Sequence, residues 1–429
     1  MSVLSDHAGG RLGRAVRQLP TVNREARKPS ERPAAPTNWL VVAIGVVLAA
    51  LLIWAVDSHA GPIMAITGGL GLALGYTLFH SRFGFTSAWR QLVSVGQGVA
   101  LRAHMLMLAT ACVLFSILLD NGLGLATKPS GFVNPIGITL IVGAFLFGVG
   151  MQVGGSCSSG TLFAIGGGQT SVVLTLFGFI VGSVAATLHY TFWFVTLPVG
   201  PSISLVKVFG YPGALAVSLA AMALIVAGTY LVAGKRRPPP VQDPPSAGRG
   251  PARVWRGYWP LWVGALLLGG LNAAVLFVSG KPWGVTPAFG LWGSKILGAV
   301  GVDVADWAFW KVPANAKALT GSVFADRVSV LDFGIIVGAL LASAAGGAFL
   351  LHRRVPWRLA LGSVLGGITM GYGAQLAGGC NIGGYFSGIA SFSLHGWVWG
   401  ITALFGTFVG LRLRPLFGLT NPKPSDSVC

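Results

Sequence analysis

The sequence predicts an all-α integral membrane protein of about ten transmembrane helices. They form two inverted repeats whose re-entrant Gly-Cys loops meet near the membrane centre. Three observations predict this. Of 429 residues, 53% are hydrophobic and only 9% charged, where soluble domains carry about 25% charged residues. Apolar runs recur at lengths that cross a hydrocarbon core of roughly 30 Å as helices. The pattern G-x-G-x-Q-x-x-G-x-C-x-x-G occurs twice, at 148–160 and at 371–383. Strand-like alternation is absent, which argues against a β-barrel.

Residues 1–38 contain Arg, Pro and polar residues but no apolar stretch of a cleaved signal, and read as a disordered basic cytoplasmic tail. The first half, 39–234, opens with WLVVAIGVVLAALLIWAV at 39–56, which leads out to DSHAG. Run 61–79 returns, 101–119 exits and 136–150 returns. MQVGGSCSSGTLFAIGGG (151–168) then dips into the membrane and comes back to the same side. Runs 171–197 and 213–233 lead out and in. The connector 235–258, with six prolines and six basic residues, suits a solvated cytoplasmic linker. The second half, 259–414, repeats the order from the opposite side. Run 259–279 exits, and 281–328 stays outside with 288–300 as a re-entrant piece. Run 331–351 returns, 359–376 exits, 377–394 dips in from outside, and 395–411 returns to a cytoplasmic tail, 415–429. The segment 303–327 reads as external and amphipathic.

Charge supports this topology. Of 29 basic residues, 22 fall on the cytoplasmic side; only Lys128, Lys207, Lys281, Lys295, Lys311, Lys317 and Arg327 do not. The net charge of +18 therefore reads as membrane-flanking charge facing anionic headgroups, and not as a nucleic-acid footprint.

At an offset of 223, the pairs Gly148/Gly371, Gly150/Gly373, Gln152/Gln375, Gly155/Gly378, Cys157/Cys380 and Gly160/Gly383 are identical. A weaker echo pairs RFGFT (82–86) with PWGVT (282–286). Inverted repeats with broken helices at the midplane are a transporter signature. Irregular backbone at that depth is tolerated only inside protein or along a cavity.

The chemistry follows from what these stretches contain. No Asp or Glu lies between Asp120 and Asp243, or between Asp332 and Asp426. A cation or proton path normally needs intramembrane carboxylates, so proton coupling is disfavoured. The groups on offer are helix-start N–H donors, Gln152 and Gln375, Ser156, Asn381, the glycines Gly155, Gly378 and Gly379, and the thiols Cys157 and Cys380. Helix N-termini in glycine loops attract anions, and soft sulfur suits a ligand that itself carries sulfur. Cys112, inside LMLATACVLFSILL, reads as core packing, and Cys429 as part of a loose tail. No cysteine spacing suggests zinc, a redox pair or a disulfide framework. His104, His189 and His395 read as packing or interface groups. A redox enzyme using the thiols covalently would need a base nearby, and neither motif contains His, Lys or Arg.

GVGMQVGGSCSSGTLFAIGGG and GYGAQLAGGCNIGGYFSGIASFSLHGW resemble the two Gly-Cys motifs of the YeeE/YedE family of bacterial inner-membrane proteins. The resemblance covers most of 61–412. It implies a multi-pass inner-membrane permease with a cytoplasmic N-terminus and an hourglass of two inverted halves. It implies import of thiosulfate or a related small sulfur anion, or of another sulfur or selenium species. Cys157 and Cys380 are then relay thiols, acting through S–H···S contacts and without a cofactor. A soluble sulfurtransferase or sulfur-carrier protein on the cytoplasmic side is the implied partner, besides the bilayer; one alternative is a non-transporting subunit for such a carrier. The family pattern usually carries a third cysteine in an R-F-C-F-type stretch. Here that position is Gly84, and its second-half equivalent is Gly284.

Overall fold

The computed structural model describes residues 36–238, 250–351 and 354–423. Most of the basic tail, the middle of the linker and Cys429 lie outside the described residues. The described chain is helical throughout, with two isolated β-bridges, Pro135–Ser202 and Ser204–Ser393.

The first half contains α1 (Trp39–Ala60), α2 (Pro62–Ser81), α3 (Phe85–Val95), α4 (Val99–Asp120), α5 (Ile138–Val153), α6 (Ser158–Gly166) and α7 (Ser171–Leu188). Next come α8 (Leu205–Arg236) and the short α9 (Ala252–Arg256). The second half has α10 (Leu261–Ser279), α11 (Pro287–Ala299), α12 (Pro313–Thr320), α13 (Arg327–Ala345) and α14 (Trp357–Leu376). A π-helical stretch (Asn381–Ser387) then runs into α15 (Gly388–Ala390), followed by α16 (Leu394–Leu413). Nine helical segments among the described residues are long and apolar enough to cross a membrane. Helix α14 has the length, but Gly362, Ser363, Gly366, Gly367, Gly371, Gly373 and Gln375 dilute its apolar residues.

Boundaries follow local chemistry. Asn38 caps α1 by accepting from Val41 N–H, and Pro62 occupies the first turn of α2, where a missing donor costs nothing. Helix α13 starts four residues before the apolar run, because the Asp326 carboxylate accepts from both Ser329 N–H and Ser329 O–H. The expected run 213–233 is the straight part of α8; the chain kinks just before it, at Gly210 and Pro212.

The packing is reciprocal between the halves. Helix α14 packs on α7 as α16 packs on α5, and α13 packs on α2 as α4 packs on α10. Helices α5 and α14 meet each other, and so do α2 and α10. The first helix crosses over: α1 packs on α13 of the second half, while α8 packs on α4 within the first. Small residues allow this closeness, as van der Waals contact is what drives helices together in lipid. A Cβ on Gly178, Gly182, Gly367 or Gly371 would collide with a backbone carbonyl across the α7–α14 seam.

The two ends of the bundle differ. One end gathers basic segments: Tyr76 O–H donates to Trp255 O, Arg236 to Val93 O, and Thr37 to Ala345 O. At the other end, Leu125 N–H donates to Phe277 O, Ser130 N–H to Gly280 O, and Leu394 N–H to Ile203 O.

Candidate functional site

Each Gly-Cys motif interrupts a helix in the same way. Helix α5 ends at Val153 and α6 begins at Ser158; α14 ends at Leu376 and the π-helical stretch begins at Asn381. Gly155 and Gly378 hold equivalent positive φ angles, +75° and +67°, which an L side chain rarely adopts. Cys157 and Cys380 then take the N-cap position of the next helix, both in extended backbone. Within each motif only the Gly155 or Gly378 turn is exposed, while the thiols are 2% and 1% accessible.

The turns open toward different ends. Asn134, from the loop after α4, donates to Gly378 O and covers the second turn. Arg414, at the end of α16, donates to Gln152 O beside the first. Between the turns both thiols lie in one buried cluster, and the Ser158 hydroxyl, next in sequence to Cys157, lies beside the Cys380 thiol without completing a conventional hydrogen bond. Cys380 Sγ accepts from Ile382 N–H at 3.4 Å, and Cys157 Sγ sits 3.7 Å from Ser159 Oγ.

Just after each cysteine stands a fully buried polar side chain with no hydrogen-bond partner. These are Ser158, at its Oγ, and Asn381, at both its Oδ1 and Nδ2. Leaving such groups unpaired costs about 1–3 kcal/mol each. They occupy equivalent positions at the offset of 223. A polar ligand between them would satisfy both.

The surroundings are rigid. Trp399 Nε1 donates to Gly379 O. Asn272, Ser387 and Trp283 form a buried network: Asn272 Nδ2 to Ser387 Oγ, Ser387 O–H to Trp283 O, and Trp283 N–H to Asn272 Oδ1. It fastens 282–286 to the π-helical stretch. Gly284 thereby faces Gly383, and a Cβ on Gly284 would meet only the distant edge of Phe132.

Of the candidate residues, Cys157, Cys380, Gly379 and Asn381 lie in the buried centre, and Ser156 is half-buried at its edge. Gln152 and Gln375 point instead to the re-entrant helices: Gln152 Nε2 donates to Thr86 O, and Gln375 lies against Gly290 of α11. Ser158 was not among the sequence candidates. Its register opposite Asn381 is the signal that could have found it. Two expectations need correction. Arg414 is no solvated flank; it is 5% exposed and holds the end of α5. The membrane interior is not free of acids either, because Asp332 of α13 is fully buried with both carboxyl oxygens unpartnered. Its span begins at Arg327, which brings Asp332 inside. Cys112 is core as expected, with its thiol against Ile389 O at 3.7 Å. No metal-binding group of His, Cys, Asp and Glu occurs among the described residues.

Residues 80–409 match the sulphur transport family. The chain belongs to that family, the YeeE/YedE group. The match runs from the end of α2 into α16 and includes both Gly-Cys turns. Among curated relatives, the chain is 25% identical to the "Thiosulfate transporter TsuA" of Spirochaeta thermophila, over 79% of this chain and 95% of the relative. It is 25% identical to the Escherichia coli protein of the same name, over 76% of this chain and 88% of the relative. It is also 31% identical to the "Probable transporter YedE" of Escherichia coli, over 37% of this chain and 39% of that relative. The chain is thus a multi-pass membrane protein of the sulphur transport family.

Proposed function

We propose that the protein is an inner-membrane permease that imports thiosulfate or a close sulfur anion along the axis between Gly378 and Gly155. The single observation that carries this reading is the central pair of buried thiols flanked by the unpartnered Ser158 and Asn381. Thiosulfate has two faces. Its terminal sulfur is soft and suits S–H donors, and its oxygens suit hydroxyl, amide and backbone N–H donors. The centre offers both kinds at each cysteine, in equivalent order. The basic end, by the positive-inside pattern, is cytoplasmic. The Gly378 turn is then the external approach and the Gly155 turn the internal one, in two inverted halves. Both thiols are buried, so passage requires a local opening. Gly379, with φ +135°, and the π-helical stretch beside it are suited to provide one. The relatives named as thiosulfate transporters support the substrate class.

The test is uptake of radiolabelled thiosulfate by cells lacking other sulfate and thiosulfate importers. Uptake is expected, with unlabelled thiosulfate competing and unlabelled sulfate competing poorly, since sulfate has no terminal sulfur for the thiols. Absence of uptake, with the protein present in the membrane, would remove thiosulfate as the substrate.

A second expectation separates function from folding. Replacing Ser158 by Ala and Asn381 by Leu removes buried unpaired polar groups. It should stabilise the fold by about 1–3 kcal/mol while severely reducing uptake. The thermal unfolding midpoint in detergent and the uptake rate should therefore move in opposite directions. A drop in both would mean that these side chains are structural.

A further inference from the structure

We infer that the protein carries a second anion site, distinct from the thiols, between α3, α5 and the end of α16. It would be a resting station for a small oxyanion on the Gly155 side. Thr86 and Arg90 lie one turn apart on α3. Gln152 Nε2 donates to Thr86 O at 3.3 Å. Arg414 Nη1 donates to Gln152 O at 2.7 Å, and its Nη2 to Thr420 O at 3.0 Å. Arg90 follows Thr86 by one turn of α3 and is half-buried. One small region therefore holds two guanidinium groups, a threonine and a glutamine.

Three polar atoms of this cluster are buried without a partner: the donors Thr86 Oγ1 and Arg414 Nε, which can serve an anion, and the acceptor Gln152 Oε1, which cannot. Thr86 is 4% exposed, Gln152 0% and Arg414 5%. A structural role, capping the end of α5, accounts for Arg414 Nη1. It leaves Nε unused, leaves the Thr86 hydroxyl unused, and gives no reason to bring Arg90 near. Two like charges in a poorly hydrated region repel. No carboxylate relieves them among the described residues, where the one ion pair is Lys311–Asp306. A doubly charged anion would accept from Arg414 Nε, Arg90 and Thr86 O–H and cancel the repulsion. The second half has no such arrangement: the position equivalent to Arg90 is Gly290, which contributes no charge.

The ligand class follows from the donors. All are N–H or O–H groups suited to oxygen, and none is a thiol. The station should hold sulfate as readily as thiosulfate, unlike the centre. This inference rests on the anion-pathway reading for its place in transport, but its ligand can be tested separately.

The experiment is equilibrium binding of radiolabelled sulfate to the purified full-length protein carrying Cys157→Ala and Cys380→Ala. One site per chain is expected. Adding Arg90→Gln should weaken it at least about tenfold, Thr86→Val should weaken it severalfold, and Arg90→Lys should retain most of it. Size-exclusion profiles identify any variant that fails to fold, and Thr86→Val, which keeps the side-chain shape, then decides. No sulfate binding by the thiol-free protein, or binding indifferent to both Arg90→Gln and Thr86→Val, would overturn the station. The two readings fail separately. Arg90-dependent sulfate binding with no thiosulfate uptake by the wild type would keep the station and discard the substrate. Thiol-dependent uptake with Arg90-independent sulfate binding would do the reverse.

Discussion

Cys380→Ala is expected to lower thiosulfate uptake by about 100-fold or more, and Cys157→Ala by a similar factor, with folded protein in the membrane at wild-type amounts. A hundredfold corresponds to about 2.7 kcal/mol of lost barrier stabilisation, within reach of removing one of the two soft donors in a desolvated constriction. The cost to the fold is small by comparison. Each change deletes one sulfur from a buried position, a loss on the order of 1 kcal/mol, since deleting a whole Leu side chain to Ala costs 2–5. Cys→Ser at the same positions sharpens the result. Serine keeps a donor but replaces soft sulfur with oxygen, so activity near the wild type would reduce the thiols to ordinary hydrogen-bond donors. Cys112→Ala is the control: its thiol is packed in the core with its hydrogen bond to Ile389 O, and uptake should be unchanged. Uptake above half of wild type in Cys380→Ala would end the relay reading.

The second large effect concerns assembly. Gly371→Leu should prevent accumulation of folded protein, and Gly371→Ala should destabilise it by about 1–3 kcal/mol. A Cβ there meets Phe179 O and closely approaches Ser183 N, both backbone atoms that cannot swing aside. The seam between α7 and α14 is therefore set by main chain against main chain. Gly270→Ala on α10 is the contrasting case. No atom lies within 4 Å of its would-be Cβ, so the change should be neutral or stabilise by up to about 1 kcal/mol. Thermal unfolding in detergent would separate the two. Equal effects would show that helix propensity, and not the seam, controls stability.

The spans were legible because apolar runs and flanking charges are local signals. Even α14 was readable as the apolar run 359–376 that leads into the second cysteine stretch. Cys157 and Cys380 stood out because glycine and cysteine recur at one offset. What stayed hidden was three-dimensional. Ser158 differs in identity from Asn381, which was a candidate, so an identity alignment passed over Ser158. Arg90 and Arg414 read as membrane flanks because position in sequence does not reveal that one end of α16 folds under α5. Asp332 sat at the edge of an apolar run, and only the cap at Asp326 drew it inside. The errors fall where burial depends on a distant helix.

The crossover of the first helix has a consequence for how the chain is made. Helix α1 has its main partner in α13, which begins at Arg327, long after α1 ends at Ala60. At synthesis rates of roughly 5–20 residues per second, α1 waits about 10–50 s for α13. During that interval it has α2 to pack on but lacks its main partner. It is the most apolar of the nine spans and leaves most of its surface outward, which suits it to wait. The nascent first half is then an unfinished object, with α4 lacking α10 and α1 lacking α13. Splitting the gene at the linker should yield two fragments that mature only when made together.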